Sequence, residues 1–157
     1  MQAFLVIGYG NELRGDDGAG RVVADRIEAM ALEGVTVRSV TQLVPELALD
    51  LVATDRVLFV DADVTVSEPV LRRLDGCHSD DTDPGALTHH VTPEVLVGLT
   101  VALEAQAPDV VELLSLPAAS LELGSPLSPA TVRAVDRGVA LIVEHISAAR
   151  QGETTKR

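Results

Sequence analysis

Residues 8–20 read GYGNELRGDDGAG, and their reading decides the fold. Ahead of them, residues 3–7 are uninterrupted apolar, the pattern of a strand buried on both faces of a parallel sheet. Behind them, Ala19, Val22, Val23, Ile27, Met30 and Ala31 recur at helical spacing. The segment is therefore a strand, a tight glycine loop and a helix. That order puts Asn11, Asp16 and Asp17 above the carboxyl end of a central strand, the edge where open α/β sheets bind ligands.

The same alternation continues outward. Residues 35–40 predict a second, less buried strand, and Pro45 starts a short helix that turns Leu47, Leu51 and Val52 inward. Residues 56–60 form a strand that stops at Asp61, Ala62 and Asp63, delivering carboxylates to the same edge. A short edge strand is expected at 70–74, then a polar loop over 75–84. His89 and His90 precede Thr92 and Pro93, an N-cap and first helical position, with Val95, Leu96, Leu99, Ala102 and Leu103 as the buried stripe. Residues 110–116 supply the last strand, closed by Pro117. Ser128 and Pro129 start a final helix with Val132, Val135, Val139, Ile142, Val143 and Ile146 inside. We read a three-layer α/β sandwich, a twisted and mostly parallel sheet flanked by helices and phosphorylase/hydrolase-like, in a single domain over 1–150 with a disordered tail at 151–157.

Composition narrows the function. Of 157 residues 46% are hydrophobic and only 2% aromatic, so Val, Leu, Ile and Ala must build the interior. Twenty-four acidic against 12 basic residues leave a net charge of −12, which repels phosphate backbones and anionic lipid. Neither nucleic acid nor a membrane is an expected partner, and the apolar runs are too short to span a bilayer. Met1 leads straight into the first strand without a signal-type segment, so a cytoplasmic location is expected. Cys77 is a lone cysteine in a polar loop, without a disulfide partner or a CxxC pair, and is read as a bystander.

The glycine loop invites a dinucleotide-binding reading, but Leu13 stands where the fingerprint needs its third glycine, and Asp16 and Asp17 oppose a pyrophosphate. An acidic pair at a helix start can also be a simple cap. A cap does not account for Asp61 at the end of another strand and a histidine pair before a later helix. Carboxylates and imidazole together form an oxygen and nitrogen donor set suited to nickel, zinc or manganese, or to acid/base work. Asp61 is preferred to Asp63, which is expected to face the other way if the strand continues. His78 is expected at the surface, and His145 beside the last helical stripe is expected to be structural.

With these residues in hand, the chain resembles the hydrogenase maturation proteases, endopeptidases that trim the large subunit of nickel-iron hydrogenases. The resemblance rests on GYGNELRGDDGAG, LFVDAD (58–63), THHVTPEVL (88–96) and LPAASLELGSPLSP (116–129), in family order. It implies an α/β sandwich and a peptide hydrolase, of aspartic type or using metal-activated water, that removes a carboxyl-terminal extension from the large-subunit precursor once nickel is inserted. Nickel is then part of the substrate, engaged by Asp17, Asp61 and His89, with His90 as the alternative, and Asp17 and Asp61 are also the catalytic candidates. Gly8, Gly10, Asn11 and Asp16 make the supporting loop. The chain departs from the family at SVTQLVPELA (39–48), where Thr41 holds a position for a polar contact, and at Leu114 to Pro117. The alternative is a non-enzymatic nickel chaperone or sensor that uses the same ligands.

Overall fold

The computed structural model describes residues 1–75, 90–103 and 106–154. In chain order they form β1 (Phe4–Tyr9), a 3₁₀ segment (Glu12–Gly18), α1 (Ala19–Ala29), β2 (Val35–Val40) and a 3₁₀ turn (Pro45–Leu47) leading into α2 (Ala48–Leu51). Then come β3 (Arg56–Asp63), β4 (Val70–Arg73), α3 (Pro93–Ala102), β5 (Val110–Pro117) and α4 (Pro129–Thr154). The sheet order is β2-β1-β3-β5-β4. All neighbours are parallel except β4, which runs antiparallel to β5 as an edge strand carrying Arg72 and Arg73. Charge on an exposed edge discourages pairing with another chain.

Alternation along the strands divides the interior in two. Phe4, Val6, Leu58, Val60, Leu114 and Leu116 face α1 and α4, meeting Val23, Ile27, Val139 and Ile142. Leu5, Ile7, Val57, Phe59 and Val111 face α2 and α3, meeting Leu47, Leu51, Leu96 and Val97. Burying each of the larger side chains contributes about 1.5–3 kcal/mol, so both layers are needed to hold a sheet with so few aromatics. After β1 the chain crosses to β2 through α1 on one face, then returns through α2 on the other face to β3. The strands β1 and β3 thus flank the topological switch point, where their carboxyl ends leave a crevice.

Two boundaries differ from the pattern-based reading. The first helix ends at Ala29, because Ala31 takes a left-handed φ of 48° as the chain turns toward β2. Met30 and Ala31 therefore leave the inner stripe, and Met30 is exposed. The last helix runs through Thr154, so four of the residues read as a disordered tail are helical, and 155–157 lie outside the described residues. Cys77 and His78 also lie outside them, as does most of the polar loop read at 75–84.

The first helix lies unusually close to the sheet. A Cβ on Gly20 would sit 2.3 Å from the Val60 carbonyl oxygen and 2.8 Å from that of Tyr9. Both obstacles are backbone and cannot rotate away. Gly20→Ala is expected to destabilise the fold by about 1–3 kcal/mol, read as a lower urea midpoint at unchanged slope. An unchanged midpoint would mean that α1 does not rest on the strand carbonyls.

Candidate active site

The loop after β1 is held by its own backbone. Gly10 has a φ of +146°, and a Cβ there would fall 1.8 Å from the Asp17 carbonyl oxygen, so only glycine permits this fold-back. Asn11 is the N-cap of the 3₁₀ segment, its Oδ1 accepting from the Leu13 N–H at 3.0 Å. The Asn11 N–H in turn donates to Asp17 Oδ2 at 2.9 Å. Asn11 thus fixes the loop at both ends.

The two adjacent aspartates have different surroundings. Asp16 is fully buried and accepts four hydrogen bonds from the β5–α4 connection. The donors are the N–H groups of Ala119 at 2.8 Å, Ser120 at 3.0 Å and Ser128 at 2.7 Å, with the Ser128 hydroxyl at 2.9 Å. Burial pushes its pKa up, but the donors outweigh burial and hold it at about 2. It caps no helix: the N-cap of α1 is Gly18, and no side chain caps that end.

Asp17 takes the other direction. It lines a cavity of about 510 Å³ together with Tyr9, Gly10, Asp61 and His90, with Leu43, Val44, Pro45 and Val91 as the apolar wall. The cavity lies over the carboxyl ends of β1 and β3, on the α2/α3 side. Asp61 is raised to about 6, mainly by burial, with the Asp17 and Asp63 charges adding to it and hydrogen bonding from Tyr9 and the Ala62 backbone opposing it. Tyr9 is itself pushed well above its ordinary value, first by burial and then by Asp61, so its phenol stays neutral. The motif reading passed over Tyr9. Its signal was present: Tyr9 ends the first strand in the same alternation as Leu5 and Ile7, which assigns it to the α2/α3 face.

Asp63 is excluded, for a reason other than the one expected. Strand β3 continues through Asp63, and residues two apart share a face. What removes Asp63 is its own turn, because Oδ1 accepts from the Thr65 N–H at 2.8 Å and the Thr65 hydroxyl at 2.6 Å. These bonds hold its pKa below the usual carboxylate value. Of the histidines, His90 lines the cavity just ahead of α3, whose N-cap Thr92 accepts from the Val95 N–H at 3.3 Å. His89 lies outside the described residues. Among the described residues no group of three His, Cys, Asp or Glu side chains is gathered tightly enough to enclose an ion. The site presents separate donors around a cavity.

Two other residues find ordinary roles. His145 Nε2 pairs with Glu112 Oε2 at 2.7 Å, as a structural histidine joining α4 to β5. Thr41 lines the cavity and its hydroxyl accepts from Arg21 at 3.5 Å, which puts a polar contact at the position where the 39–48 segment was expected to offer one.

No protein-family model matches the chain, and no curated protein gives a significant match. Solved structures do. The hydrogenase 2 maturation peptidase of Thaumarchaeota archaeon SCGC_AB-539-E09 is 27% identical, with a TM-score of 0.68 over 92% of this chain and 98% of that one. The NiFe hydrogenase maturation protease HycI of Thermococcus kodakarensis KOD1 is 22% identical, with a TM-score of 0.68 over 91% of each chain. The hydrogenase maturating endopeptidase HybD of E. coli is 19% identical, with a TM-score of 0.68 over 94% of this chain and 93% of that one.

Opposite pKa shifts give opposite effects on stability. For Asp16 the folded value lies below the unfolded one, so its contribution is present above pH 4 and is lost as pH falls toward 2. Asp16→Asn, which leaves one acceptor oxygen and turns an amide toward N–H donors, should cost about 2 kcal/mol at pH 7. For Asp61 the folded value is the higher one, so stability falls as pH rises from about 4 to about 6. Asp61→Asn should therefore exceed the parent chain in stability by about 1–3 kcal/mol at pH 7 and match it near pH 4. Urea titrations at both pH values check the pair.

Proposed function

We propose that this chain, which belongs to the hydrogenase maturation proteases, is an endopeptidase that removes the carboxyl-terminal extension of a nickel-iron hydrogenase large-subunit precursor after nickel insertion. The observation that carries the reading is that Asp17, Asp61 and His90, from three separate segments, line one cavity at the switch point of a fold shared with hydrogenase maturation peptidases and proteases. A soluble cytoplasmic setting goes with it. No helix among the described residues is long and apolar enough to cross a membrane.

Nickel is part of the substrate in this reading. Asp17, Asp61 and either His89 or His90 present oxygen and nitrogen donors that a metal already held by the precursor accepts in its open positions. Donors spread around a cavity suit this role, because the remaining ligands come from the other protein. An empty precursor then lacks the anchor that sets its scissile bond in place. Binding energy from the metal is used to orient the peptide.

Peptide hydrolysis needs a base for water and a donor for the leaving amine. Asp61 serves as the general base through the carboxylate oxygen it does not lend to the metal: it accepts the proton as the water oxygen adds to the scissile carbonyl, then returns it to the amine nitrogen as the carbon–nitrogen bond breaks. The products are a new carboxylate on the large subunit and a free peptide. Asp17, fixed by the Asn11 N–H, lines the same cavity.

The test is trimming of a nickel-loaded large-subunit precursor, followed by mass spectrometry. The chain should shorten the loaded precursor and leave the nickel-free one intact. Asp17→Ala and Asp61→Ala should each slow trimming by about 100-fold or more. Normal trimming by both variants would remove these residues from the site. Uptake of nickel without shortening would favour the chaperone.

A further inference from the structure

Strand β3 delivers Asp61 to the cavity but does not by itself aim its oxygens. The last torsion of an aspartate is soft, so the plane of the carboxylate, and with it the direction of each oxygen, is set by what the group touches. Asp17 has such a partner in the Asn11 N–H at 2.9 Å. For Asp61 the partners are the Ala62 backbone and one side chain, the phenol of Tyr9.

Strand register brings Tyr9 and Asp61 together. Strands β1 and β3 pair in parallel up to Gly8 with Val60, so Tyr9 and Asp61 are the next residues along adjacent strands and leave the sheet on the same face. Both line the cavity. A phenol carries one donor proton and an ionised carboxylate offers only acceptor oxygens, so the hydrogen bond between them runs from Tyr9 to Asp61. The donor is itself well fixed. Tyr9 ends β1 paired with Val40 of β2, the Gly10 N–H that follows donates to the Val40 carbonyl at 3.2 Å, and the ring packs against the α2/α3 layer of the core. A ring held on a strand by packing aims its neighbour more closely than a loop side chain can.

Resting on the endopeptidase reading, we propose that Tyr9 is a positioning residue whose hydroxyl fixes the plane of the Asp61 carboxylate, so that one oxygen meets the metal in the precursor and the other meets the attacking water. Tyr9 acts through Asp61. Without the hydroxyl the carboxylate is free to turn, and a misplacement of about 1 Å at a reacting group costs up to about 100-fold in rate. The hydroxyl carries this role and the ring only places it.

The experiment follows trimming of a nickel-loaded precursor by the full chain and by Tyr9→Phe, which keeps the ring and removes the hydroxyl alone. Tyr9→Phe should lower kcat by about tenfold or more and keep KM within about twofold, because Asp17 and the histidine still engage the metal. A second measurement needs no substrate. Tyr9 is the chain's one tyrosine and tryptophan is absent, so the tyrosine band in the near-ultraviolet reports on this phenol. A phenol that donates to a carboxylate absorbs at longer wavelength than one that does not, so Asp61→Ala should shift the band to the blue, whereas Asp17→Ala should leave it in place. Parent-like kcat in Tyr9→Phe, or a raised KM at unchanged kcat, overturns the positioning role and leaves the endopeptidase reading intact. A band that Asp61→Ala does not move removes the bond and the role with it. If the parent chain trims no loaded precursor, the endopeptidase reading falls and the role falls with it.

Discussion

A buried carboxylate requires donors, and Asp16 finds four of them more than a hundred residues away in the chain. That requirement organises the carboxyl edge of the sheet. Without those donors an ionised Asp16 would be untenable at zero exposure, and the charge would have to be neutralised or moved into water. With them, the loop after β1 and the connection after β5 become one unit. Because neighbouring residues of a tight turn point apart, locking Asp16 toward 119–128 leaves Asp17 directed into the cavity.

The same residue type is thus put to two uses by its surroundings. Asp16 is surrounded by donors and kept ionised to about pH 2, whereas Asp61 is buried near two other carboxylates and protonates near pH 6. Burial acts on both in the same direction, and the number of hydrogen-bond donors decides which way each finally moves. The divergence separates a structural anion from a group suited to accepting and returning a proton. A neutral Tyr9 beside Asp61 contributes a partner without adding charge to an already anionic pocket.

The position of this chemistry follows from the winding of the chain. The first crossover covers one face and the second covers the other, so β1 and β3 part at their carboxyl ends and cannot be roofed by the same helix. Gly10 lets the loop fold back onto the Asp17 carbonyl, and Gly20 lets α1 approach strand backbone closely. The crevice left between them is small, apolar along 43–45 and acidic at its base.

Much of this was legible from residue order alone. The apolar runs of β1, β3 and β5, the Thr92–Pro93 and Ser128–Pro129 helix starts, and the arrival of Asp17, Asp61 and His90 at one sheet edge are local patterns, set by side-chain alternation, capping and proline geometry. They determined the α/β class, the order of elements and the edge at which the donors gather. Tertiary structure alone decided which member of the acidic pair is buried, because the four donors to Asp16 come from a distant loop whose approach no short-range pattern records. It likewise decided that Asp63 is taken up by Thr65 and that Tyr9 faces Asp61. In each case the deciding quantity is a distance between segments far apart in sequence, and burial and hydrogen bonding are set only when those segments meet.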